Sequence, residues 1–213
     1  MRPIVKTRCL YGKLRGDRPA EVFSLARLPA GPVQIRFSLM DQIRRATLAD
    51  APAIAAIYNW YVANTVVTFE EDPVSDAEMA RRVSDVLGAY DWIVLVRDGR
   101  LAGYAYASRF RERAAYRWAT ESTIYLEQGL SGQGLGKRLY GALVQRIFAL
   151  GYRHMVGGIS LPNDRSVRLH ESLGFVKVAH YPRIGKKLGR WVDVASWQLE
   201  QKGFDEVPAA GAT

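Results

Sequence analysis

The sequence feature that most restricts the fold is a glycine-rich segment at residues 129–138, which reads Gly-Leu-Ser-Gly-Gln-Gly-Leu-Gly-Lys-Arg. It stands between an apolar stretch with strand character, Ala119–Leu126, and a stretch whose apolar residues recur at helical spacing as far as Leu150. Alternating glycines let the backbone approach a ligand closely, and the following helix begins with unpaired N–H groups and a positive dipole end. The segment therefore predicts a strand, a turn and a helix that can hold a phosphate or pyrophosphate.

Two common phosphate-binding loops do not fit this segment. Ser131 occupies the place of the first glycine in a GxxxxGK loop, and Arg138 occupies the place of its Ser or Thr. The spacing Gly132-x-Gly134-x-Gly136 also differs from GxGxxG. A tight glycine connection without a ligand remains the alternative that these residues allow.

Strand and helix signals alternate along the rest of the chain. Thr47 caps a predicted helix, with Asp50 three residues on and Pro52 in its first turn, and Ser75 opens another helix with Glu78 completing a capping box. Further predicted elements are the strands Ile43–Arg45, Trp92–Val96, Leu101–Ser108, Ala119–Leu126, Met155–Ser160, Phe175–Val178 and Trp191–Leu199, and a helix from Asn163 or Asp164 through Leu173. This order predicts an α/β fold, a single domain with one mixed central β-sheet flanked by helices.

The composition is that of a globular chain that needs neither a metal nor a disulfide to fold. Of its 213 residues 48% are hydrophobic and 24% are charged, which fits one domain with appendages or two small domains. The one cysteine, Cys9, excludes a disulfide framework, and the three histidines have no HExxH-like spacing, so we expect no metal site. No apolar run reaches the roughly 18 residues that a membrane helix needs. We expect a cytoplasmic protein without a membrane partner.

The positive charge is concentrated near the N-terminus. Residues 1–39 hold eight basic and two acidic side chains, so they account for +6 of the formal net charge of +9. The remainder is mildly basic, which suits an anionic ligand and is weak evidence for nucleic acid. Residues 1–39 fit a basic arm or a transit-like peptide, or sequence upstream of a natural start at Met40. We favour the last, and expect residues 1–39 outside the fold, a domain at 40–201 and a flexible tail at 202–213.

The glycine turn and the motifs around it resemble the GCN5-related N-acetyltransferase (GNAT) superfamily. Its members carry an Arg/Gln-x-x-Gly-x-Gly/Ala turn that holds the pyrophosphate of acetyl-CoA, and Ser131–Gly136 matches this turn except that serine stands first. The resemblance extends over about Ile43–Gln198 and is sharpest to the phosphinothricin and methionine sulfoximine acetyltransferases. The segments that carry it are Ile57-Tyr58-Asn59, Thr120–Leu126, Leu161–Asp164, Arg168–Phe175, Gly189–Asp193 and Trp197-Gln198.

The resemblance implies the GNAT fold and a metal-free transfer of the acetyl group of acetyl-CoA to the α-amine of a small amino acid analogue. Such a transfer needs a base for the protonated amine, donors for the developing oxyanion and an acid for the departing thiolate. The resemblance implies that Glu121 is the base and takes the proton directly or through water. Without its place in the Thr-Glu-Ser-Thr motif, Glu121 would be interpreted as an ordinary surface glutamate. His170 stands where many members have a tyrosine, and the resemblance implies that it is the acid. The alternative is that His170 has no catalytic role and only packs against Leu169 and Leu173.

The implied donor site combines the strand, the turn and a helix start. The pantetheine would run along Ile124, Tyr125 and Leu126, with the N–H near Leu126 polarising the thioester carbonyl. Asn163 would bond the pantetheine arm or simply cap a helix. Ser131 lacks the long side chain of the family's residue, so we expect weaker cofactor binding at worst. The pyrophosphate would lie against Gly132, Gln133, Gly134, Leu135, Gly136 and Lys137.

The implied acceptor site is the arginine-rich segment Arg109–Trp118. Guanidinium groups bind carboxylates bidentately, and the resemblance assigns Arg111 and Tyr116 to the amino acid substrate; a solvated basic loop is the alternative. The resemblance also implies a homodimer. Two other functions stay open, namely acetylation of a peptide or ribosomal-protein N-terminus, and acetyl-CoA binding with little catalysis.

Overall fold

One seven-stranded sheet organises residues 41–203, the part of the chain that the computed structural model describes. The predicted extension 1–39 and residues 204–213 of the predicted tail lie outside the described residues. The strands are β1 (Gln42–Arg45), β2 (Trp92–Arg97), β3 (Arg100–Arg109), β4 (Ala119–Leu126), β5 (His154–Leu161), β6 (Val176–Lys187) and β7 (Arg190–Glu200). The helices are α1 (Ala51–Asn64), α2 (Asp76–Leu87), α3 (Leu135–Ala149) and α4 (Asp164–Glu171).

The described sheet contains one parallel pair of neighbouring strands. Its order is β1-β2-β3-β4-β5-β7-β6, and every pairing is antiparallel except that of β4 with β5. These two strands are joined by the glycine turn and α3, the crossover that a parallel pair requires. Their pairing joins Ala119–Glu121 to His154–Val156 and ends there, although β4 continues to Leu126 and β5 to Leu161. The predicted mixed sheet flanked by helices is confirmed, with an opening between β4 and β5.

Each face of the sheet carries its own hydrophobic core. Helix α3 packs on one face, where its side chains Leu139, Leu143 and Ile147 are completely buried. Helices α1 and α2 pack on the other face, where Ile54 and Val83 are completely buried. Burial of each such side chain contributes about 1.5–3 kcal/mol, so the two helical layers hold the strands in place between them.

The two predicted helix caps before the sheet's centre are both present in the structure. Ser75 caps α2 as predicted, because its Oγ accepts a backbone N–H of the first turn at 3.2 Å. Thr47 is also an N-cap as predicted, because it forms a capping box in which the Asp50 carboxylate accepts the Thr47 N–H at 2.8 Å. The capped turn Leu48–Asp50 is a 3-10 turn that runs directly into α1 at Ala51, so only the α-helical part begins one turn later.

Strand β6 is much longer than the predicted strand Phe175–Val178. It covers Val176–Lys187 and forms a long hairpin with β7 that turns at Leu188-Gly189, where both residues have positive φ, 50° and 75°. Pro182 and Gly185 lie inside the strand, and the pairing register shifts just before Gly185. An irregular pairing accommodates such breakers, so contact with β7 and not local sequence sets the length of the strand.

Candidate active site

Main-chain groups of β4 face the opening between β4 and β5. The N–H of Glu127 donates to the Ala102 carbonyl at 2.8 Å. The main-chain N–H and C=O groups of successive strand residues point to alternate edges of the strand. The bond of Glu127 therefore implies that these groups of Ile124 and Leu126 face β5 instead of β3. The Leu126 carbonyl accepts a hydrogen bond from the Tyr61 hydroxyl at 2.8 Å. The other main-chain groups of Ile124 and Leu126 point toward the opening, where a ligand with amide groups can bond to them.

The glycine turn has the conformation and the open space that a phosphate group requires. Gly132 and Gly134 have φ of +83° and +76°, in the left-handed region that strains other residues. A Cβ at either position would meet no atom within 4 Å. Gly134 is also the N-cap of α3 and offers no side-chain cap to the first N–H groups of that helix. These donors therefore fit a pyrophosphate, whose negative charge also suits the helix dipole.

The other residues of the turn have separate roles. A Cβ at Gly136 would make an ordinary van der Waals contact with Leu169 of α4, at 3.4 Å, so this glycine lies where α3 packs against α4. Leu135 is buried beneath the turn. The exposed predicted residues are Ser131, Gln133 and Lys137. The turn thus presents main-chain donors and one lysine to an anion.

Glu121 lies on β4 at the last paired position before the opening. Its carboxylate stands over β5, where a Cβ at Gly158 would lie 3.8 Å from Oε1. Solvent reaches the side chain, yet the surrounding protein desolvates the carboxylate and raises the pKa of Glu121, while the Arg111 guanidinium acts to lower it. A solvent-accessible carboxylate with a raised pKa is suited to accept a proton from an amine.

His170 lies against the opposite face of β5, in a buried hydrogen-bond chain. A Cβ at Gly157 would collide with its Nε2. The ring is 4% exposed; Nδ1 donates to the Ser166 carbonyl at 2.8 Å and Nε2 accepts from the Tyr140 hydroxyl at 3.1 Å. That hydroxyl is 2.7 Å from the Ser122 hydroxyl. Burial lowers the pKa of His170, so the ring is neutral at neutral pH.

The two predicted catalytic residues therefore flank one point of the sheet. Gly157 and Gly158 follow Val156, the last residue of β5 that pairs with β4. Successive residues of a strand face opposite sides, and neither of these carries a side chain. The Glu121 carboxylate and the His170 ring thus approach β5 from its two faces, at the start of the opening.

The predicted substrate residues lie in one exposed cluster near Glu121. The Arg111 guanidinium stacks over the Phe110 ring, with Cζ 4.9 Å from the ring centroid. Phe110 in turn packs edge-on against Tyr116, with ring centroids 5.7 Å apart. Because the charge of Arg111 acts on the pKa of Glu121, a cation and a carboxylate share this side of the sheet. The sequence predicted Arg111 and Tyr116 as acceptor residues, and the structure brings them together.

A cavity of about 250 Å³ lies on the same face of the sheet as Glu121. One of its lining residues, Ser108, pairs in register with Glu121. Another, Trp92, has a buried indole N–H with no hydrogen-bond partner among residues 41–203. The rest of the lining consists of Tyr58, Met79, Arg82, Asp85, Val86, Tyr104 and Tyr106. The cavity is thus largely aromatic, with two charged side chains in its lining, and has room for a small side chain.

Two predicted cofactor residues have structural partners. The Asn163 Oδ1 accepts the Ser166 N–H at 3.2 Å and caps α4, which leaves Nδ2 as the atom for a contact with pantetheine. The Tyr125 ring is buried against Tyr58 and Tyr61, with centroid distances of 5.4 and 4.9 Å. Its side chain therefore belongs to the core beneath α1, and the residues on either side of it face the opening.

Three residues of the site were not found by sequence reasoning. Tyr140 lies on the buried face of α3, Ser122 follows Glu121 in β4, and Tyr61 belongs to the apolar face of α1. In the sequence, Tyr61 recurs at helical spacing with Ile54, Ile57 and Tyr58, and Tyr140 merely follows Leu139 of the next apolar stripe. The available signal was weak, namely that a buried tyrosine hydroxyl needs a hydrogen-bond partner.

Two other kinds of site were sought in the described part of the chain. Within residues 41–203, no group of three or more His, Cys, Asp or Glu side chains is placed to hold a metal ion. None of the four described helices has the length and apolar character to cross a membrane.

Known proteins resemble this chain in sequence and in fold. The profile of the acetyltransferase (GNAT) domain matches residues 43–195. Phosphinothricin N-acetyltransferase of Streptomyces viridochromogenes is 39% identical over 159 residues, which are 75% of this chain and 87% of that protein. L-methionine sulfoximine/L-methionine sulfone acetyltransferase of Salmonella typhimurium is 35% identical over 159 residues, 74% of this chain and 93% of that protein. A GNAT superfamily phosphinothricin acetyltransferase from Sinorhizobium meliloti, solved in complex with acetyl-CoA, has a TM-score of 0.77 and 41% identity, covering 80% of this chain and 94% of that one.

The chain belongs to the GNAT family of acetyltransferases. Its family, its fold and its nature as an N-acetyltransferase were predicted from the glycine turn and the surrounding motifs, and all three are confirmed. The similar proteins also include members of the predicted branch.

The lowered pKa of His170 makes a prediction about folding. In the unfolded chain the ring takes up a proton near its ordinary pKa of 6.5, whereas the buried ring stays neutral to lower pH. The stability that this provides is complete above about pH 6.5 and is lost as pH falls toward the folded pKa. Urea unfolding at pH values of about 7.5 and 5.5 should show a decrease in the free energy of unfolding that is smaller in His170→Asn. An NMR titration in which the folded ring protonates at its ordinary pKa would contradict this.

Proposed function

We propose that this chain transfers the acetyl group of acetyl-CoA to the α-amine of a small amino acid analogue of the phosphinothricin, methionine sulfoximine or methionine sulfone type. One observation carries the proposal: the Glu121 carboxylate lies within electrostatic reach of the Arg111 guanidinium where the sheet opens. A base for an ammonium group beside a cation for a carboxylate suits an acceptor that carries both on one carbon. The names of the relatives support the same substrate class.

On the donor side, the residues fit acetyl-CoA. The pyrophosphate binds the main-chain N–H groups of Gly132–Gly136 and lies near the Lys137 ammonium. The pantetheine pairs with the main chain of Ile124 and Leu126, and Asn163 offers its Nδ2 from the start of α4. Acetyl-CoA supplies an acetyl group activated as a thioester; transfer forms the amide C–N bond, breaks the C–S bond and releases the thiol of CoA. The Leu126 N–H is the donor for the thioester carbonyl.

On the acceptor side, each group of the exposed cluster has one task. Glu121 takes the proton of the ammonium group, directly or through water, so that the amine becomes nucleophilic. Arg111 holds the carboxylate and Tyr116 borders the same cluster. The aromatic cavity receives the acceptor's side chain.

His170 lies on the other face of β5 and contributes less to catalysis than Glu121 does. Its one ring proton is on Nδ1 against the Ser166 carbonyl, and Nε2 accepts from Tyr140. Because burial lowers the pKa of His170, few rings carry a second proton at neutral pH. A thiolate leaves acceptably without a proton, so the acid contributes less than the base.

A substrate screen tests the acceptor class. Release of the CoA thiol from acetyl-CoA should depend on added phosphinothricin or methionine sulfoximine, and should stay at background with their N-acetylated forms. Peptides with a free N-terminus form the second arm of the screen. Faster release with peptides would indicate acetylation of polypeptide N-termini, and acetyl-CoA binding without release for any acceptor would indicate a binding protein with little catalysis.

Gly134→Val should weaken acetyl-CoA binding about tenfold or more. A β-branched residue is strained at the φ of +76° that this position requires, so the turn would change and its N–H groups would move. Isothermal titration calorimetry measures the Kd. The matched control is Gly189→Val, because Gly189 has φ of +75° and equally open surroundings but lies in the β6–β7 hairpin. Equal affinity in the two variants would remove the turn from the donor site.

Glu121→Gln should lower kcat by about two or more decades, because a general base typically contributes about 100- to 10,000-fold. The substitution keeps the shape of the side chain and removes its basicity. Affinity for acetyl-CoA should be nearly unchanged, since the turn is separate from Glu121. The loss should shrink as pH rises, because more acceptor then arrives with its amine already deprotonated.

The matched control for this variant is Glu127→Gln, a partly exposed glutamate just beyond the same strand whose carboxylate is 3.5 Å from Arg100. It should retain the turnover of the unmodified enzyme, and His170→Ala should lose less than Glu121→Gln. Near-normal turnover of Glu121→Gln across neutral pH would mean that Glu121 is not the base.

We also propose a homodimer in the cytoplasm, with no nucleic-acid or membrane partner. Large apolar side chains are exposed along the β6–β7 hairpin, among them Val176, Ile184 and Trp191, each 62% exposed. A second copy would cover this surface; light scattering that returns the mass of one chain would contradict the dimer. The single cysteine of the whole sequence, Cys9, suits a reducing compartment.

A further inference from the structure

One carboxylate joins two arginines beside the glycine turn. Asp41, just before β1, accepts from Nε and Nη2 of Arg97 at 2.6 and 2.9 Å, and from Nη1 of Arg138 at 2.7 Å. Arg97 is the last residue of β2, and Arg138 lies in the first turn of α3. The Asp41 side chain is 12% exposed, and hydrogen bonds from the arginines lower its pKa to about 2, so it is charged at neutral pH. The carboxylate therefore ties β1, β2 and α3 together.

Arg97 also reaches into the turn. Its Nη1 donates to the Oε1 of Gln133 at 2.5 Å. Gln133 stands between Gly132 and Gly134, the two glycines of the turn with positive φ. A planar guanidinium held on two of its nitrogens by a carboxylate has a fixed direction, so its third nitrogen fixes the position of the Gln133 side chain.

The turn needs such an anchor to be a good binding site. Glycines have access to more backbone conformations than other residues, and ordering them on binding costs conformational entropy. An external contact at Gln133 restricts the two glycines before the ligand arrives, which improves affinity by preorganisation. The Nε and both Nη atoms of Arg97 already donate to protein groups, so the side chain is engaged without the ligand.

We propose that Arg97, oriented by Asp41, is a positioning residue for the pyrophosphate-binding turn and acts through Gln133 instead of contacting the phosphates. The inference rests on the proposed function in one respect, because the proposed function places the pyrophosphate of acetyl-CoA at this turn. Gly134→Val tests that placement separately.

Arg97→Ala should raise the Kd of acetyl-CoA about three- to tenfold, the effect of losing one or two hydrogen bonds that order the site. The kcat at saturating acetyl-CoA and the KM of the acceptor should not change. With S-acetylpantetheine, a donor that lacks the pyrophosphate, the rate should equal that of the unmodified enzyme. Arg100→Ala is the matched control: it removes the same charge from the neighbouring strand, where the side chain is 82% exposed, and should leave the Kd unchanged.

Asp41→Asn separates positioning from direct charge attraction. Removing a negative charge near a bound phosphate strengthens binding if Arg97 and Arg138 act as free charges, and weakens it if Asp41 orients Arg97. We expect weaker binding. The double variant Arg97→Ala/Gln133→Ala should bind acetyl-CoA no worse than the weaker of the two single variants, because both remove one contact.

The inference would be overturned by tighter binding of acetyl-CoA in Asp41→Asn, or by additive losses of affinity in the double variant. It would also be overturned if Arg97→Ala lost as much rate with S-acetylpantetheine as with acetyl-CoA, which would indicate general damage to the fold. The failure of the proposed donor site has a different signature. If Gly134→Val binds acetyl-CoA normally, the pyrophosphate lies elsewhere; if Gly134→Val binds weakly and Arg97→Ala binds normally, the positioning role alone fails.

Discussion

The site depends on the short parallel pairing of β4 with β5. After Glu121 and Val156 the main chains of the two strands no longer pair with each other, although both strands continue. Main-chain polar groups that lose their partners in a protein interior cost free energy unless something else bonds to them. The Tyr61 hydroxyl satisfies the Leu126 carbonyl, and in the proposed complex the amides of pantetheine satisfy others. An interruption of the sheet thus becomes the place where a ligand binds.

The same interruption separates two chemical environments. Glu121, on the α1 and α2 face, meets solvent and the charge of Arg111, whereas His170, on the α3 and α4 face, is enclosed with Tyr140 and Ser122. Desolvation disfavours the charged form of each group, so it raises the pKa of the carboxyl and lowers that of the imidazole. Proton acceptance is therefore easier to assign to Glu121 than proton donation is to His170.

The sequence predicted well wherever a local rule applies. The glycine segment predicted a turn between a strand and a helix, which β4, the turn and α3 form, and the Ser75 cap predicted the start of α2. It failed where partners distant in the chain decide. Pairing with β7 extends β6 through Pro182 and Gly185, well beyond the predicted strand. Local propensity contains no information about such contacts.

The sequence by itself determined the α/β class, the glycine turn, the residue types for acetyl transfer and, through resemblance, the family. Spacing, turn chemistry and motif order are local properties and can be read from the chain. Only the tertiary structure decided which groups meet: Gly157 and Gly158 between His170 and Glu121, and Asp41 beside Arg97, 56 residues away. The physical reason is that burial, desolvation and ion pairing depend on distance in space, which the folded sheet sets and the order of residues does not.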